Sequence, residues 1–146
     1  MIDDRICWAL ALSGMTAAEA IRGAGGQFGL KPLQVHVVAL LTPGPVGQQR
    51  LGEETGVDPS VLVAALNELE DRGLAERRRD PEDRRRHIVE LTGAGRSVAG
   101  DIDDAMRRID GAVFADLSAD EITTLYGLLS RVHTASGGGA GGCDEV

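Results

Sequence analysis

One interruption near the middle of the chain constrains its fold more than any other feature: the sequence TGVDPS at residues 55–60. A short predicted helix over about 47–55 ends at the glycine of this sequence, and Asp58-Pro59 then supplies an N-cap and a first-turn proline for the next helix. That helix carries leucine and alanine on one face and ends at Gly73. Two helices joined by a tight glycine turn are typical of a helix-turn-helix, although any two packed helices can produce the pattern.

A basic segment follows immediately, with the sequence ERRRDPEDRRRHIVELT at residues 76–92. Six arginines lie within 77–86 against three acidic residues, so this stretch carries +3 in a chain of formal net charge −8. The Pro/Asp turn DPED separates two strand-like runs, which predicts a β-hairpin. A basic hairpin directly after a helix-turn-helix is a winged helix, whose arginines can reach phosphates while the preceding helix enters a groove. The charge alone leaves open an alternative, a solvated hairpin whose charges pair with one another.

Helices are predicted on both sides of this unit. The first spans about 3–22, where the glycine-rich GAGGQFG breaks it, and a second opens near Pro32. After the hairpin, Thr92 is predicted to cap a long helix, and the capping box SADE at 118–121 opens a last helix that runs to about residue 134. The predicted fold class is therefore mainly α with a small β-hairpin wing.

The overall charge and the spacing of reactive residues exclude several classes of function. A pI near 4.8 argues against nucleic-acid binding by the whole surface, so any contact with DNA must be local. The chain has no apolar run of membrane-spanning length and no basic-plus-apolar leader, which predicts a cytoplasmic protein with no membrane partner. Its His, Cys and carboxylate residues lack metal-ligand spacing, and no Ser/His/Asp or paired-carboxylate arrangement occurs. We therefore expect no metal, no cofactor and no enzyme activity.

The segment 57–95 closely resembles the core of the MarR family of winged-helix transcriptional regulators. The family's most specific feature is its wing signature, Asp-x-Arg followed by an alternating strand and Leu-Thr-x-x-Gly. The signature is present here as Asp83, Arg85, Leu91, Thr92 and Gly95. The passage LEDRGLAERRRDPEDRRR matches the family's helix-to-wing connection almost position by position, and the resemblance covers roughly residues 3–134.

This resemblance implies a homodimer joined by helices at about 3–30 and 93–134, with a winged helix-turn-helix at about 31–92 in each subunit. One domain would span 1–135, and 136–146 would be a flexible glycine-rich tail. Two-fold symmetry predicts a pseudo-palindromic site on double-stranded DNA, with half-sites about 10 bp apart. The expected function is that of a repressor that responds to an unidentified small-molecule effector.

The resemblance also implies roles for the residues of the wing. In the family's pattern the aspartate of Asp-x-Arg braces the wing and the arginine reaches into the minor groove, which gives these roles to Asp83 and Arg85. Arg84 and Arg86 are expected to contact phosphates. The candidate DNA-contacting residues are Gln48, Gln49, Arg50, Ser60, Val63, Ala64, Asn67, Arg84, Arg85 and Arg86.

The predicted recognition helix departs from the family's pattern. Related sequences place Thr-Arg in its middle, where this chain has Val63 and Ala64, and no Lys or Arg occurs within 51–71. Ser60 and Asn67 can form hydrogen bonds to bases, but nearby carboxylates oppose the gain from counterion release. A competing hypothesis is therefore a degenerate winged-helix dimer that binds DNA weakly or not at all and acts through a protein partner or a ligand.

A small-molecule site is also implied, because members of the family bind effectors in a cleft between the dimer helices and the winged helix. The residues that could line such a cleft here are Trp8, Leu12, Met15, His36 and Leu40. Each of them also fits a position in the apolar core of a helical protein, and that alternative stays open.

Cys7 raises a separate hypothesis. Its context, DRICWALALS, resembles the start of the family branch that senses organic hydroperoxides, in which a first-helix cysteine is oxidised. That branch places two tyrosines at the start of the second helix to activate the thiol, and the matching positions here hold Pro32 and Val35. A thiolate needs a stabilising partner to react, so an inert buried cysteine is the alternative to a Cys7-based peroxide sensor.

Overall fold

The computed structural model describes residues 5–135 and has the predicted class, mainly α with a small antiparallel sheet. The elements in chain order are α1 (Ile6–Gly26), α2 (Pro32–Leu41), β1 (Val46–Gly47), α3 (Gln48–Thr55), α4 (Pro59–Asp71), β2 (Ala75–Arg79), β3 (His87–Leu91), α5 (Gly93–Val113) and α6 (Ala119–Ala135). The segment 136–146, predicted to be a flexible tail, lies outside the described residues. The chain divides into two compact units, one ending at Ile109 and one beginning at Asp110.

α1 extends further than the sequence predicted. The predicted helix ended near Arg22, but the observed helix continues for about another turn. Gly25 is buried, and a Cβ atom there would lie 2.6 Å from Val35 Cγ2 and 2.9 Å from the carbonyl oxygen of Leu30. The glycines therefore allow the end of α1 to pack closely against α2, and the turn itself contains Gly29, whose φ is +66°.

α3 and α4 form the predicted helix-turn-helix. α3 ends at Gly56, which has a φ of +65°, and Asp58 caps α4 by accepting a hydrogen bond from the backbone N–H of Ser60 at 2.8 Å. Pro59 occupies the first position of α4, as predicted. Leu51 of α3 and the leucines on one face of α4 are buried in the same core, so side-chain packing holds the two helices together.

The wing hairpin consists of β2 and β3, which pair antiparallel with Ala75 opposite Leu91. A third strand, β1, pairs with β3 on its other side, with Val46 opposite Val89. This strand was not predicted, because two residues carry no alternating pattern of their own. β1 directly precedes α3 and pairs with a strand of the hairpin. The start of the helix-turn-helix is therefore hydrogen-bonded to the wing.

The Leu-Thr-x-x-Gly part of the signature forms the junction between the wing and α5. The backbone N–H of Thr92 donates to the carbonyl oxygen of Leu74 at 3.1 Å. The Thr92 hydroxyl donates to the carbonyl oxygen of Gly73 at 2.6 Å and accepts from the N–H of Gly95 at 3.0 Å, the cap predicted from the sequence. A Cβ atom at Gly95 would lie 1.9 Å from the Leu74 carbonyl oxygen, so only glycine fits there.

The second unit contains the end of α5 and α6. Ser118 and Glu121 form the predicted capping box: the N–H of Ser118 donates to Glu121 Oε2 at 2.8 Å, and the N–H of Glu121 donates to Ser118 Oγ at 3.3 Å. The first of these bonds is the main reason why the pKa of Glu121 is lowered. Large apolar side chains are exposed on α6, among them Tyr126 at 75%.

Candidate nucleic-acid interface

A groove of about 840 Å³ opens between α3, the start of α4 and the wing. Five of the predicted DNA-contacting residues line it: Gln48, Gln49, Arg50, Arg85 and Arg86. The fold thus brings the amide side chains at the start of α3 together with the arginines of the wing. Gln48 Oε1 is buried and has no hydrogen-bond partner among the described residues.

Asp83 holds the tip of the wing. Its Oδ1 accepts from the N–H of Arg85 at 3.0 Å, and its Oδ2 lies 3.4 Å from Arg86 Nε. On the other side of the turn, Arg79 Nη1 donates to the carbonyl oxygen of Arg84 at 2.8 Å. These bonds fix the backbone of the turn, while the side chains of Arg84 and Arg85 remain exposed.

Three of the six wing arginines are in ion pairs. The pairs are Arg77 with Glu70, Arg78 with Glu90 and Arg86 with Asp83. Arg84 and Arg85 form no ion pair with any residue that the structure describes. The alternative hypothesis, a hairpin whose charges pair with one another, therefore holds for half of the six arginines. At the tip of the wing, Arg84 and Arg85 have no carboxylate partner among the described residues.

The outward face of α4 mixes small polar and apolar residues with carboxylates and has no basic residue. Ser60, Ala64 and Asn67 are exposed and Val63 is half-buried, whereas the leucines of this helix face the core. None of these four residues lines the groove, so they lie beside it on the surface of α4.

Two carboxylates of α4 are paired with residues from other elements. Glu68 Oε1 lies 2.9 Å from Lys31 Nζ, and Gln34 Nε2 donates to Glu68 Oε2 at 2.7 Å. Glu70 Oε2 lies 2.7 Å from Arg77 Nη2. The pKa of each carboxylate is lowered, chiefly by the hydrogen bond from Lys31 in Glu68 and from Arg77 in Glu70. A count of acidic residues therefore overstates the negative charge that α4 would present to a phosphate.

A second cavity, of about 880 Å³, lies between α1, α2 and α5 within the first unit. Its lining is mainly apolar and includes Ile21, Val35, Val38, Ile102 and Met106, with His36, Arg96 and Asp103 as polar members. Of the residues predicted for an effector cleft, His36 lines this cavity and Leu40 lines a smaller one of about 280 Å³. Trp8, Leu12 and Met15 line neither cavity and are exposed on α1.

Cys7 lies exposed in the first turn of α1, so the alternative of a buried cysteine does not hold for a single chain. Pro32 and Val35, at the start of α2, offer no polar side chain that could activate a thiol. Among the described residues, no group of three or more His, Cys, Asp or Glu side chains is placed to hold a metal ion. No helix within 5–135 combines the length and apolar character needed to cross a membrane.

Comparison with known proteins identifies the family. A model of the MarR family matches residues 28–86, which contain the helix-turn-helix and the wing tip. A probable transcriptional regulator from Pseudomonas aeruginosa is 34% identical, and its crystal structure matches with a TM-score of 0.78 over 90% of this chain and 99% of that one. The chain belongs to the MarR family.

Two other proteins extend the comparison for this MarR-family chain. The transcriptional repressor CouR, bound to a 23-mer DNA duplex, is 28% identical, with a TM-score of 0.82 over 90% of this chain and 94% of that one. A protein from Thauera aromatica named as a regulatory protein for the hcr operon is 38% identical over 91 residues, which are 62% of this chain and 54% of that protein. The chain therefore spans about half the length of this curated relative.

Proposed function

We propose that this MarR-family protein is a homodimeric transcriptional regulator, a repressor that binds a pseudo-palindromic operator and responds to a small molecule. The observation that carries the proposal is the groove between α3, α4 and the wing, which Gln48, Gln49 and Arg85 line together. Arg84 and Arg85 have no carboxylate partner among the described residues, so a DNA phosphate can approach them without displacing one. The bonds to Asp83 and Arg79 already fix the turn that carries them.

The apolar faces of α1 and α6 support dimerisation. In a single chain, large apolar side chains are exposed on these two helices: Ile6, Trp8, Leu12 and Met15 on α1, and Tyr126, Leu128 and Leu129 on α6. Exposed apolar surface of this kind marks an interaction site. The resemblance to the family assigns the same two helices to the dimer. A two-fold dimer carries two winged helices, which suits a site with two half-sites about 10 bp apart.

The second cavity supports control by a small molecule. It is concave and mainly apolar with a few polar groups, the usual character of a ligand site. α2 contributes Val35 and His36 to its lining, and the first turn of α2 holds α4 through the hydrogen bonds of Lys31 and Gln34 with Glu68. A ligand that binds one position of α2 more tightly than another would therefore also shift the position of α4. The size of the shift is limited by the difference in the ligand's affinity for the two positions of α2.

The composition of α4 favours a second candidate function. The helix has no Lys or Arg over Pro59–Asp71, and its exposed surface includes Ala64 and Asp71. A winged-helix dimer that has lost operator binding, and acts through a protein partner or a ligand, would need no basic residue on this helix. It would retain the dimer and the cavity and lose only the affinity for a specific DNA sequence.

Titration with DNA distinguishes the two functions. The purified protein is titrated onto a fluorescent duplex from the region flanking its own gene, with a shuffled duplex of equal length and composition as the control. Anisotropy is measured at about 50 and about 200 mM salt, because phosphate contacts are salt-sensitive. A regulator binds the flanking duplex in a salt-sensitive manner and roughly a thousandfold or more tighter than the shuffled one. Equal affinity for the two duplexes would overturn the proposed operator binding.

A further inference from the structure

Two polar side chains on the outward surface of α4 each form one hydrogen bond with the side chain of a neighbouring residue, Ser60 as the donor and Asn67 as the acceptor. Ser60 and Asn67 are seven residues apart, which places them on one face of the helix, two turns from each other. At a rise of 1.5 Å per residue they are separated by about 10.5 Å along the axis. Stacked base pairs repeat every ~3.4 Å, so the two side chains can reach bases up to about three pairs apart.

Ser60 presents a hydrogen-bond acceptor. Its Oγ lies 2.5 Å from Asp58 Oδ1, which also accepts from the N–H of Ser60 at 2.8 Å. A carboxylate can only accept, so the hydroxyl proton of Ser60 points to Asp58. The hydrogen bond from this hydroxyl is the main reason why the pKa of Asp58 is lowered. Only the lone pairs of Ser60 Oγ remain for a base.

Asn67 presents a hydrogen-bond donor. Arg77 Nη2 donates to Asn67 Oδ1, and the side chain must hold this orientation because a guanidinium has no acceptor. Arg77 is itself fixed by Glu70, whose carboxylate accepts from Arg77 Nη2 at 2.7 Å, from Nε at 3.1 Å and from the backbone N–H at 2.9 Å. Asn67 therefore cannot turn its carbonyl to a base without breaking the bond to Arg77. Its Nδ2 is left to donate.

We propose that α4 reads its DNA site through this fixed pair, an acceptor at Ser60 and a donor at Asn67. The inference rests on the proposed function, since it requires α4 to lie in the major groove. There, guanine, adenine and thymine offer acceptors to the Asn67 donor, whereas cytosine offers only an amino group. Cytosine and adenine offer amino groups to the Ser60 acceptor. The usual bidentate contact of asparagine with adenine uses both the amide and the carbonyl, so at Asn67 it has to compete with Arg77 for the carbonyl oxygen. Each half-site should contain an adenine or cytosine and, up to about three pairs away, a base other than cytosine.

The inference is tested by selecting bound duplexes from a random-sequence library with the full-length protein and its variants. Wild type should deplete cytosine at one position of each half-site, and Asn67→Ala should lose the preference at that position alone. Arg77→Leu releases the Asn67 carbonyl, so affinity for a site with adenine at that position should rise roughly tenfold relative to the guanine site. Ser60→Ala should lose the preference up to about three pairs away. Arg78→Leu, which removes an arginine of the same hairpin that pairs with Glu90, should leave every preference unchanged.

The outcomes separate this inference from the function on which it rests. If wild type enriches no sequence, the proposed operator binding fails and the inference fails with it. If wild type enriches a site and Asn67→Ala keeps the wild-type preference at every position, the operator binding stands and the inference is wrong. Asn67 is exposed, so its substitution by alanine is informative even if Arg77→Leu does not fold.

Discussion

Arg85 and Arg78 lie on the same hairpin and differ in a way that binding measurements can detect. Arg78 Nε lies 2.8 Å from Glu90 Oε1, whereas Arg85 forms no ion pair with any described residue. Arg85→Ala and Arg78→Ala each remove one positive charge per chain, so their effects on net charge are equal. We expect only Arg85→Ala to remove a positive charge that enters the minor groove and is neutralised by the DNA, which makes Arg78→Ala its matched control.

The size of the effect follows from counterion release. Each phosphate neutralised on duplex DNA contributes about 0.9 to the slope of log affinity against log salt, so the two Arg85 side chains of a dimer contribute about 1.8. Over a fourfold change in salt, from about 50 to about 200 mM, this slope corresponds to roughly a 12-fold change in affinity. Wild type should therefore lose about 12-fold more affinity than Arg85→Ala over that range.

The assay is fluorescence anisotropy on one duplex at several salt concentrations, with thermal melting to verify that both variants fold. Arg78→Ala should keep the wild-type slope, because Arg78 is already neutralised by Glu90. Equal slopes for wild type and Arg85→Ala would refute the assignment of a DNA contact to Arg85. If Arg78→Ala reduced the slope of log affinity against log salt more than Arg85→Ala does, the claim that an arginine paired with a carboxylate contributes nothing to this slope would be wrong.

Other predictions concern stability, assembly and redox response. Gly95→Ala should destabilise the fold in urea unfolding by at least about 1–3 kcal/mol, because its Cβ would collide with a backbone carbonyl. Gly100→Ala, in open space on the same helix, should be neutral or stabilise by up to about 1 kcal/mol, and equal losses in the two variants would contradict this. The pKa of Glu70 is lowered by its arginine partner from 4.5, so its contribution to stability is present above that pH and lost as the pH falls through the folded-state value. Glu70→Gln should therefore unfold more easily than wild type near neutral pH, with the difference vanishing in acid; a difference that does not depend on pH would exclude this origin. Leu12→Arg should shift sedimentation from dimer to monomer, and an unchanged dimer would remove this part of α1 from the interface. If Cys7 is a peroxide sensor, Cys7→Ser should abolish the release of DNA by peroxide, and a response that survives the substitution rules Cys7 out.

Turn and cap residues made much of the fold predictable, because their chemistry acts within a few residues of the chain. Gly56 adopts the left-handed conformation that ends α3, and Asp58 and Pro59 then start α4 where the sequence indicates. Ser118 and Glu121 start α6 in the same way. Such residues determine where helices begin and end. The succession of helices before and after the wing could therefore be predicted from them.

Contacts between residues distant in the chain were not predictable in this way. Lys31 is 37 residues from Glu68, so the sequence alone left that carboxylate as an unpaired negative charge on α4. Gly25 was interpreted as a helix breaker because its close contact with Val35 depends on how α1 and α2 pack. The same applies to the candidate effector site: His36 lines the cavity, but most of its other lining residues depend on the register of α5 against α2.

The most direct test of the central claim is a hydroxyl-radical footprint of the protein on the DNA that flanks its own gene. A two-fold dimer with one winged helix per subunit predicts two protected half-sites of inverted sequence, with centres about 10 bp apart. Protection should disappear when Arg84 and Arg85 are both replaced by alanine. Uniform protection that follows no sequence, or no protection at protein concentrations where the dimer is intact, would contradict the account.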